Sequence, residues 1–409
     1  MKRVSLGRLG LILTLGLLLA ACGGQPPMTT WPGLAANDQL AFVAAHQQLY
    51  AVHISGDNYS KAAWTFPAQP DGNIGGFAAS PAVGPNIIVV PADGPSGRYS
   101  GAVFGLNPEN GQQIWCLALD AKAAGRLANC PAPADASTAP GQITIPIIGV
   151  SLSLATPEDN RVTDRVTLAS DTAFFGLNNG KVYAVDALTG KTKWPAPFQA
   201  KQAVWAAPLP DPDTNLVYVG SLDHNLYALD LATGALKWQK SLGAAIAASP
   251  VLSDGVLYVG TFGSQVLALS AADGSQKWAV PTASWVWGTP VLYGSGLYFA
   301  DVAGNVYAVD PATGQRQWSV KPGDAVRAAP AVTAEAVVVG DRTGKIYGLS
   351  RANGSGLWPA LAPLKGQLIG SPVVISDTIL VAPYNGDNLL VAYSSAGAQK
   401  WAFAPTQGK

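Results

Sequence analysis

The chain has 409 residues, with 25 Lys plus Arg against 25 Asp plus Glu and no formal net charge at pH 7. That balance supplies no field to gather nucleic acid, which is therefore excluded as an expected partner. Charged residues make up only 12% of the chain, beside 45 Gly and 31 Pro; this is about half the usual charged share and suits a large all-β protein with many turns.

Residues 1–21 read as an export leader. Lys2, Arg3 and Arg8 form a basic start, and the apolar stretch from Leu9 to Leu19 is too short to span a bilayer comfortably. Leu19-Ala20-Ala21-Cys22 has the form of a bacterial lipobox, so Cys22 is the expected lipidation site and first mature residue. Two or three acyl chains, palmitate among them, anchor a protein stably because each buried methylene contributes roughly 0.8 kcal/mol. The plainer alternative is an ordinary secretory signal with a chance cysteine. Residues 22–30, rich in Gly, Pro and Thr, form the expected tether. The chain is thus expected to be exported and lipid-anchored to a bacterial membrane. That is the outer membrane facing the periplasm in a cell with two membranes, and otherwise the cell surface.

The folded body is expected over residues 31–409. Its first unit has strand-like segments at residues 31–34, 40–45, 48–54 and 62–66 and ends near Trp64, and the second unit ends at Trp115. Cys116 and Cys130 close a short loop rich in Ala and Pro. In an exported protein the pair reads as a disulfide worth roughly 3 kcal/mol, and metal binding is disfavoured because no His, Asp or Glu cluster accompanies it. Residues 116–164 read as an insertion made of the disulfide loop, an apolar β segment over residues 143–155 and a polar turn. A degenerate ninth unit is the other way to fill this stretch, but it holds neither a Thr-Gly turn nor a closing tryptophan.

Beyond the insertion one phrase recurs about every 40 residues, a period of propellers and solenoids. It is AVDALTGKTKW ending at Trp194, ALDLATGALKW at Trp238, ALSAADGSQKW at Trp278 and AVDPATGQRQW at Trp318, with looser copies at Trp358 and Trp401. In the copy that closes at Trp278, segments of alternating apolar residues are separated by Asp254-Gly255, Gly263-Ser264 and Asp273-Gly274, which gives four short antiparallel strands. Four strands cannot bury both faces alone, so such blades stack around an axis. Glycine at 190, 234, 274 and 314 suits a turn that needs positive φ. The tryptophan just beyond it is expected to lie across the next blade as a packing residue.

These phrases resemble the PQQ-like (quinoprotein) β-propeller repeat over nearly all of the mature chain. With closing tryptophans at Trp64, Trp115, Trp194, Trp238, Trp278, Trp318, Trp358 and Trp401, the resemblance implies an all-β, eight-bladed propeller of four-stranded antiparallel blades with one insertion. The enzymes of that superfamily are dehydrogenases that hold PQQ with calcium or a lanthanide on the channel axis. The resemblance would then require a Glu/Asn/Asp metal set, an aspartate base and often a vicinal cysteine pair, none of which maps onto this chain. PQQ with calcium is expected only under that alternative; otherwise no cofactor, metal ligand or catalytic residue is assigned. Closer in size and format are the lipid-anchored propellers of outer-membrane β-barrel assembly, which are similar in repeat and anchor. That likeness implies a scaffold without enzymatic activity, with protein partners and a membrane tether, although the insertion departs from the pattern.

In a four-stranded meander, the connection between blades and the turn from second to third strand open on the same face. Residues before the first strands, namely Phe77, Trp205, Trp285, Trp287, Arg327 and Ile369, are expected around the channel mouth. Second-to-third turns add Asp223, His224, Phe262, Asp301, Asp341, Arg342, Tyr384 and Asn385. Trp205, Trp285, Trp287, Arg327, Arg342, Phe262 and Tyr384 form the candidate binding rim, suited to a flat ligand, a polysaccharide or a partner's apolar segment. The bland alternative is packing between neighbouring strands. His224, with no second His or Cys nearby, is read as a loop residue.

Overall fold

The computed structural model describes residues 33–405, except residues 78, 96–100, 134–140, 148–149, 157–158 and 360. The leader, Cys22 and the tether lie outside the described residues. Among the described residues eight antiparallel blade sheets follow in chain order, each made of consecutive strands, with a separate two-stranded sheet in the insertion. The first strands of neighbouring blades lie against one another, and that of blade 8 lies against that of blade 1, so the first strands form the inner ring. Blade 1 holds Gly33–Ala36, Leu40–Ala45, Gln48–His53 and Ala62–Phe66. Blade 5 follows the repeat as read, with Val251–Ser253, Val256–Thr261, Gln265–Ser270 and Gln276–Pro281. Both residues of its Asp254-Gly255 turn have positive φ, 50° and 72°, matching the twist of a two-residue hairpin.

The closing tryptophan is held on three sides. Opposite it in its own blade stands Ala51, Gly105, Ala228, Ala268, Ala308 or Ala392, next to a register shift that kinks the ladder. A larger residue there would meet the indole, as Gly105 shows: a Cβ would lie 2.1 Å from Trp115 Nε1. Across the junction the indole rests on the turn glycine of the next blade. Trp64 covers Gly111, Trp115 covers Gly190, Trp194 covers Gly234 and Trp278 covers Gly314. Except in Trp238, whose buried indole N–H finds no acceptor, the indole N–H of these seated tryptophans donates to a carbonyl just before that glycine, as from Trp115 to Ala187 O (2.8 Å) and from Trp318 to Arg351 O (3.0 Å). Thus the glycine expected for its positive φ is also required by the seat it offers.

Two blades have curtailed outer strands, and one of them falls to three strands. Blade 7 pairs only Ala331–Val332, Ala336–Gly340 and Ile346–Ser350, with an isolated bridge at Leu349/Gly356. The outer strand of blade 3 is reduced to Phe198–Gln199 plus a bridge at Val185/Thr192. In both, the closing tryptophan is followed by proline, Trp358-Pro359 and Trp194-Pro195, which has no N–H for the ladder.

Ring closure uses no exchanged strand among the described residues. One core cluster joins Leu34, Val43 and Val52 of blade 1 to Leu380, Leu390 and Trp401 of blade 8. Here the repeating seat is absent: Gly56 of blade 1 has φ 74° but only open space where a Cβ would stand.

The insertion leaves blade 2 after Gln113–Ala118. Asp120 accepts the Ala123 N–H at 2.7 Å and so caps a short helix, Ala121–Arg126. Cys116 and Cys130 are joined by a disulfide and are buried in the core of blades 1 and 2. The apolar β segment expected over residues 143–155 is a hairpin of Gly141–Ile147 with Val150–Thr156.

Candidate functional site

Backbone bonds place the connectors between blades. The N–H groups of Asp93, Asn178, Leu222, Phe262, Val302, Arg342 and Tyr384 donate to the carbonyls of Gly76, Arg161, Ala203, Ala245, Trp285, Ala325 and Gln367. The next connector residue sends its N–H back to the preceding blade, as Val204 does to Leu177 and Ile246 to Ser221, and its side chain is buried between the two. The residue after that faces the axis. Thr163, Trp205, Ala247, Trp287, Arg327 and Ile369 accordingly line a cavity of about 600 Å³.

This alternation sorts the rim residues. Phe77, expected at the mouth, occupies the inward position and is fully buried against Phe66 and Phe104. Trp205 and Trp287 stack at 5.8 Å, with only Ala247 on the connector between them. Phe262 lies 4.9 Å from Trp285 and 5.0 Å from Trp287, and the Arg327 guanidinium sits 5.2 Å from the Trp287 ring centre. Trp285, outside the cavity, is 49% exposed. Arg342 and Tyr384 do not line the cavity; Arg342 is exposed and pairs with Asp324 at 3.5 Å, while Tyr384 exchanges backbone bonds with Gln367.

Three aspartates read as mouth residues have structural duties. Asp223, Asp301 and Asp341 accept the hydroxyls of Tyr227, Tyr307 and Tyr347 at 2.6, 2.7 and 2.9 Å. Each also accepts a connector N–H, from Lys201, Ala283 and Asp324. Burial acts to raise the Asp223 and Asp341 carboxyls, but these hydrogen bonds outweigh it and hold both below the usual carboxylate range. Burial and the bonds to aspartate push the Tyr307 and Tyr347 hydroxyls up to about 12. His224 is a left-handed loop residue with φ 74°.

The sequence reading missed the acidic side of the cavity. Asp159 forms a two-point pair with Arg161 (2.8 and 2.7 Å) and accepts Asn178 Nδ2 at 2.8 Å. Asp164 accepts the Ser249 hydroxyl at 3.0 Å and the Ala207 N–H at 3.3 Å. Asp93 also lines the cavity and is 7% exposed. Burial pushes its carboxyl up to about 7, against the lowering effect of Arg161 and with a further rise from Asp159. Arg161, Thr163 and Asp164 were within reach of the repeat: counting back from Trp194, Arg161 takes the connector place held by Ala203 and Trp285 in later blades. Asp93 carried no such signal, because its Pro91-Ala-Asp-Gly-Pro95 setting reads as a turn.

A family model described as "Outer membrane protein assembly factor BamB" matches residues 178–321 and 302–409, together more than half of the chain. The chain belongs to the BamB family. Among solved structures it is similar to BamB from Moraxella catarrhalis, with 17% identity and a TM-score of 0.62, covering 90% of this chain and 96% of that one. A computationally designed protein, Ika8, is similar to the same extent, with 14% identity, a TM-score of 0.67 and the same two coverages, 90% and 96%. No curated protein matches the chain in sequence. At these identities the likeness to solved structures is one of fold, and a designed propeller shares it, so function rests on family membership and the site. The family match takes in every residue of the aromatic rim and leaves out Asp93, Asp159, Arg161 and Asp164.

Proposed function

We propose that this chain is a lipid-anchored, non-enzymatic scaffold for protein partners in outer-membrane β-barrel assembly, held at the periplasmic face of the outer membrane through Cys22. The observation that carries the reading is the BamB family match, which runs from the second half of blade 3 through blade 8. The stacked group Trp285, Phe262 and Trp287 gives the partner a place to dock, since Trp285 is half exposed on the mouth face, and rigid aromatic side chains anchor interfaces at low entropic cost.

A PQQ dehydrogenase is disfavoured by the donor set. Asp159 is committed to Arg161 and Asp164 to Ser249, and the described residues contain no group of three or more His, Cys, Asp or Glu able to hold a metal. The residues present therefore do not fit PQQ with calcium.

Two measurements test the reading in the full-length chain. Cys22→Ala should move the protein from the membrane to the soluble fraction. A photo-crosslinking amino acid at position 285 should capture an outer-membrane β-barrel protein in cells, while Trp285→Ala changes stability by less than about 1 kcal/mol, as expected of a half-exposed side chain. Membrane retention without Cys22, or crosslinks only to soluble enzymes, would overturn it.

A further inference from the structure

The cavity on the propeller axis is lined by three carboxylates, Asp93, Asp159 and Asp164, and two guanidinium groups, Arg161 and Arg327. Two of the carboxylates are satisfied inside the protein. Asp159 is clamped by Arg161 and Asn178, and Asp164 by Ser249 and Ala207. Asp93 differs from both: it is more than nine-tenths buried, and no donor among the described residues meets its carboxylate. Asp93 lines the cavity together with Asp159 and Arg161. An unpaired buried charge is costly, so natural interiors supply a partner for it. Across the axis stand the indoles of Trp205 and Trp287, whose faces attract cations and flat apolar groups.

We propose that this cavity binds a compact organic cation, a primary ammonium or guanidinium group on an aromatic or apolar body, with its charge at Asp93 and its body against Trp205 and Trp287. A volume of about 600 Å³ suits such a ligand, being within the roughly 300 to 1,000 Å³ of ordinary small-molecule pockets. The site shares Trp287 with the docking rim, but its acidic half lies outside the residues matched by the family model, and Trp285 takes no part in its lining.

The test is calorimetric titration of the full-length protein at pH 8 with phenethylamine and, as its uncharged counterpart, phenethyl alcohol. Phenethylamine is expected to bind saturably with one site per chain, at least about tenfold more tightly than the alcohol, because a charge-assisted bond to a buried carboxylate separates them. Asp93→Asn should erase that tenfold preference, and Trp287→Ala should weaken both probes. No saturable binding of the amine at millimolar concentration, equal affinity for amine and alcohol, or undiminished preference in Asp93→Asn would each overturn the proposal. The comparison of the two probes on the unmutated protein decides the matter even if a variant fails to fold. Crosslinking from position 285 is unaffected by any of these outcomes.

Discussion

Trp194→Ala is expected to lower the stability of the ring by about 3 to 5 kcal/mol, the range for removing a large aromatic side chain from a packed core. Trp194 is 4% exposed, packs against Phe174 at 5.9 Å, and donates to Leu231 O at 3.0 Å in the next blade. Its loss opens a void at the junction of blades 3 and 4 and removes the bond between them. The other half of the same contact is Gly234, with φ 73° and a would-be Cβ 2.6 Å from the Trp194 ring. Gly234→Ala therefore combines a backbone penalty of about 1 kcal/mol with a collision that the buried indole cannot relieve. Gly56 supplies the control, because its φ of 74° is nearly the same but its surroundings are open. Gly56→Ala should show the backbone penalty alone, so urea unfolding should find Gly234→Ala worse by about 2 kcal/mol or more, within the usual cost of overpacking. Equal losses in the two variants would mean that these glycines serve the turn only.

Asp93→Asn is expected to stabilise the protein at alkaline pH and to flatten its pH dependence. Burial raises this carboxyl from 3.8 to about 7 in the folded protein, Arg161 opposing and Asp159 adding to the rise. The folded state thus holds a proton that the unfolded chain releases between these values. Its contribution is fully present below the unfolded pKa and is lost as pH rises through the folded one, so stability falls over the window from about 4 to 7. Between pH 5 and pH 8 the loss through this group amounts to roughly 2 to 3 kcal/mol, at about 1.36 kcal/mol per unit. Asparagine cannot ionise, so the gain of Asp93→Asn over the unmutated protein should be larger at pH 8 than at pH 5 by that amount in urea unfolding. A gain independent of pH would show that Asp93 is ionised and accommodated throughout.

The architecture was legible because the repeat states it several times. The Gly-x3-Trp spacing located both partners of the lock, and the doubling between Trp115 and Trp194 located the insertion. What each residue does at a junction was only half legible: Gly234 was understood through its φ, whereas its second duty depends on Trp194 in another blade. Proline after the closing tryptophan was a signal for the curtailed outer strands, since Pro195 and Pro359 cannot join a ladder.

The site was legible on one side of the axis. Trp205, Trp287 and Arg327 were found because they break the pattern of their connectors. Phe77 was misplaced because successive connector residues face in opposite directions, and Asp223, Asp301 and Asp341 because turn aspartates serve backbone N–H groups as readily as ligands. Asp93 and Asp159 escaped because one sits at the end of a strand that contains proline and the other at the close of an insertion, where no sibling copy shows which way a side chain points.

Gentle detergent extraction of the tagged full-length protein, followed by identification of what accompanies it, bears most directly on the proposed scaffold role. An outer-membrane β-barrel protein should co-purify in near-stoichiometric amount and should be lost when Trp285 and Phe262 are both replaced by alanine, with the propeller still folded. Recovery of the protein alone, or a barrel partner retained equally by the double variant, would contradict a scaffold that docks through this rim.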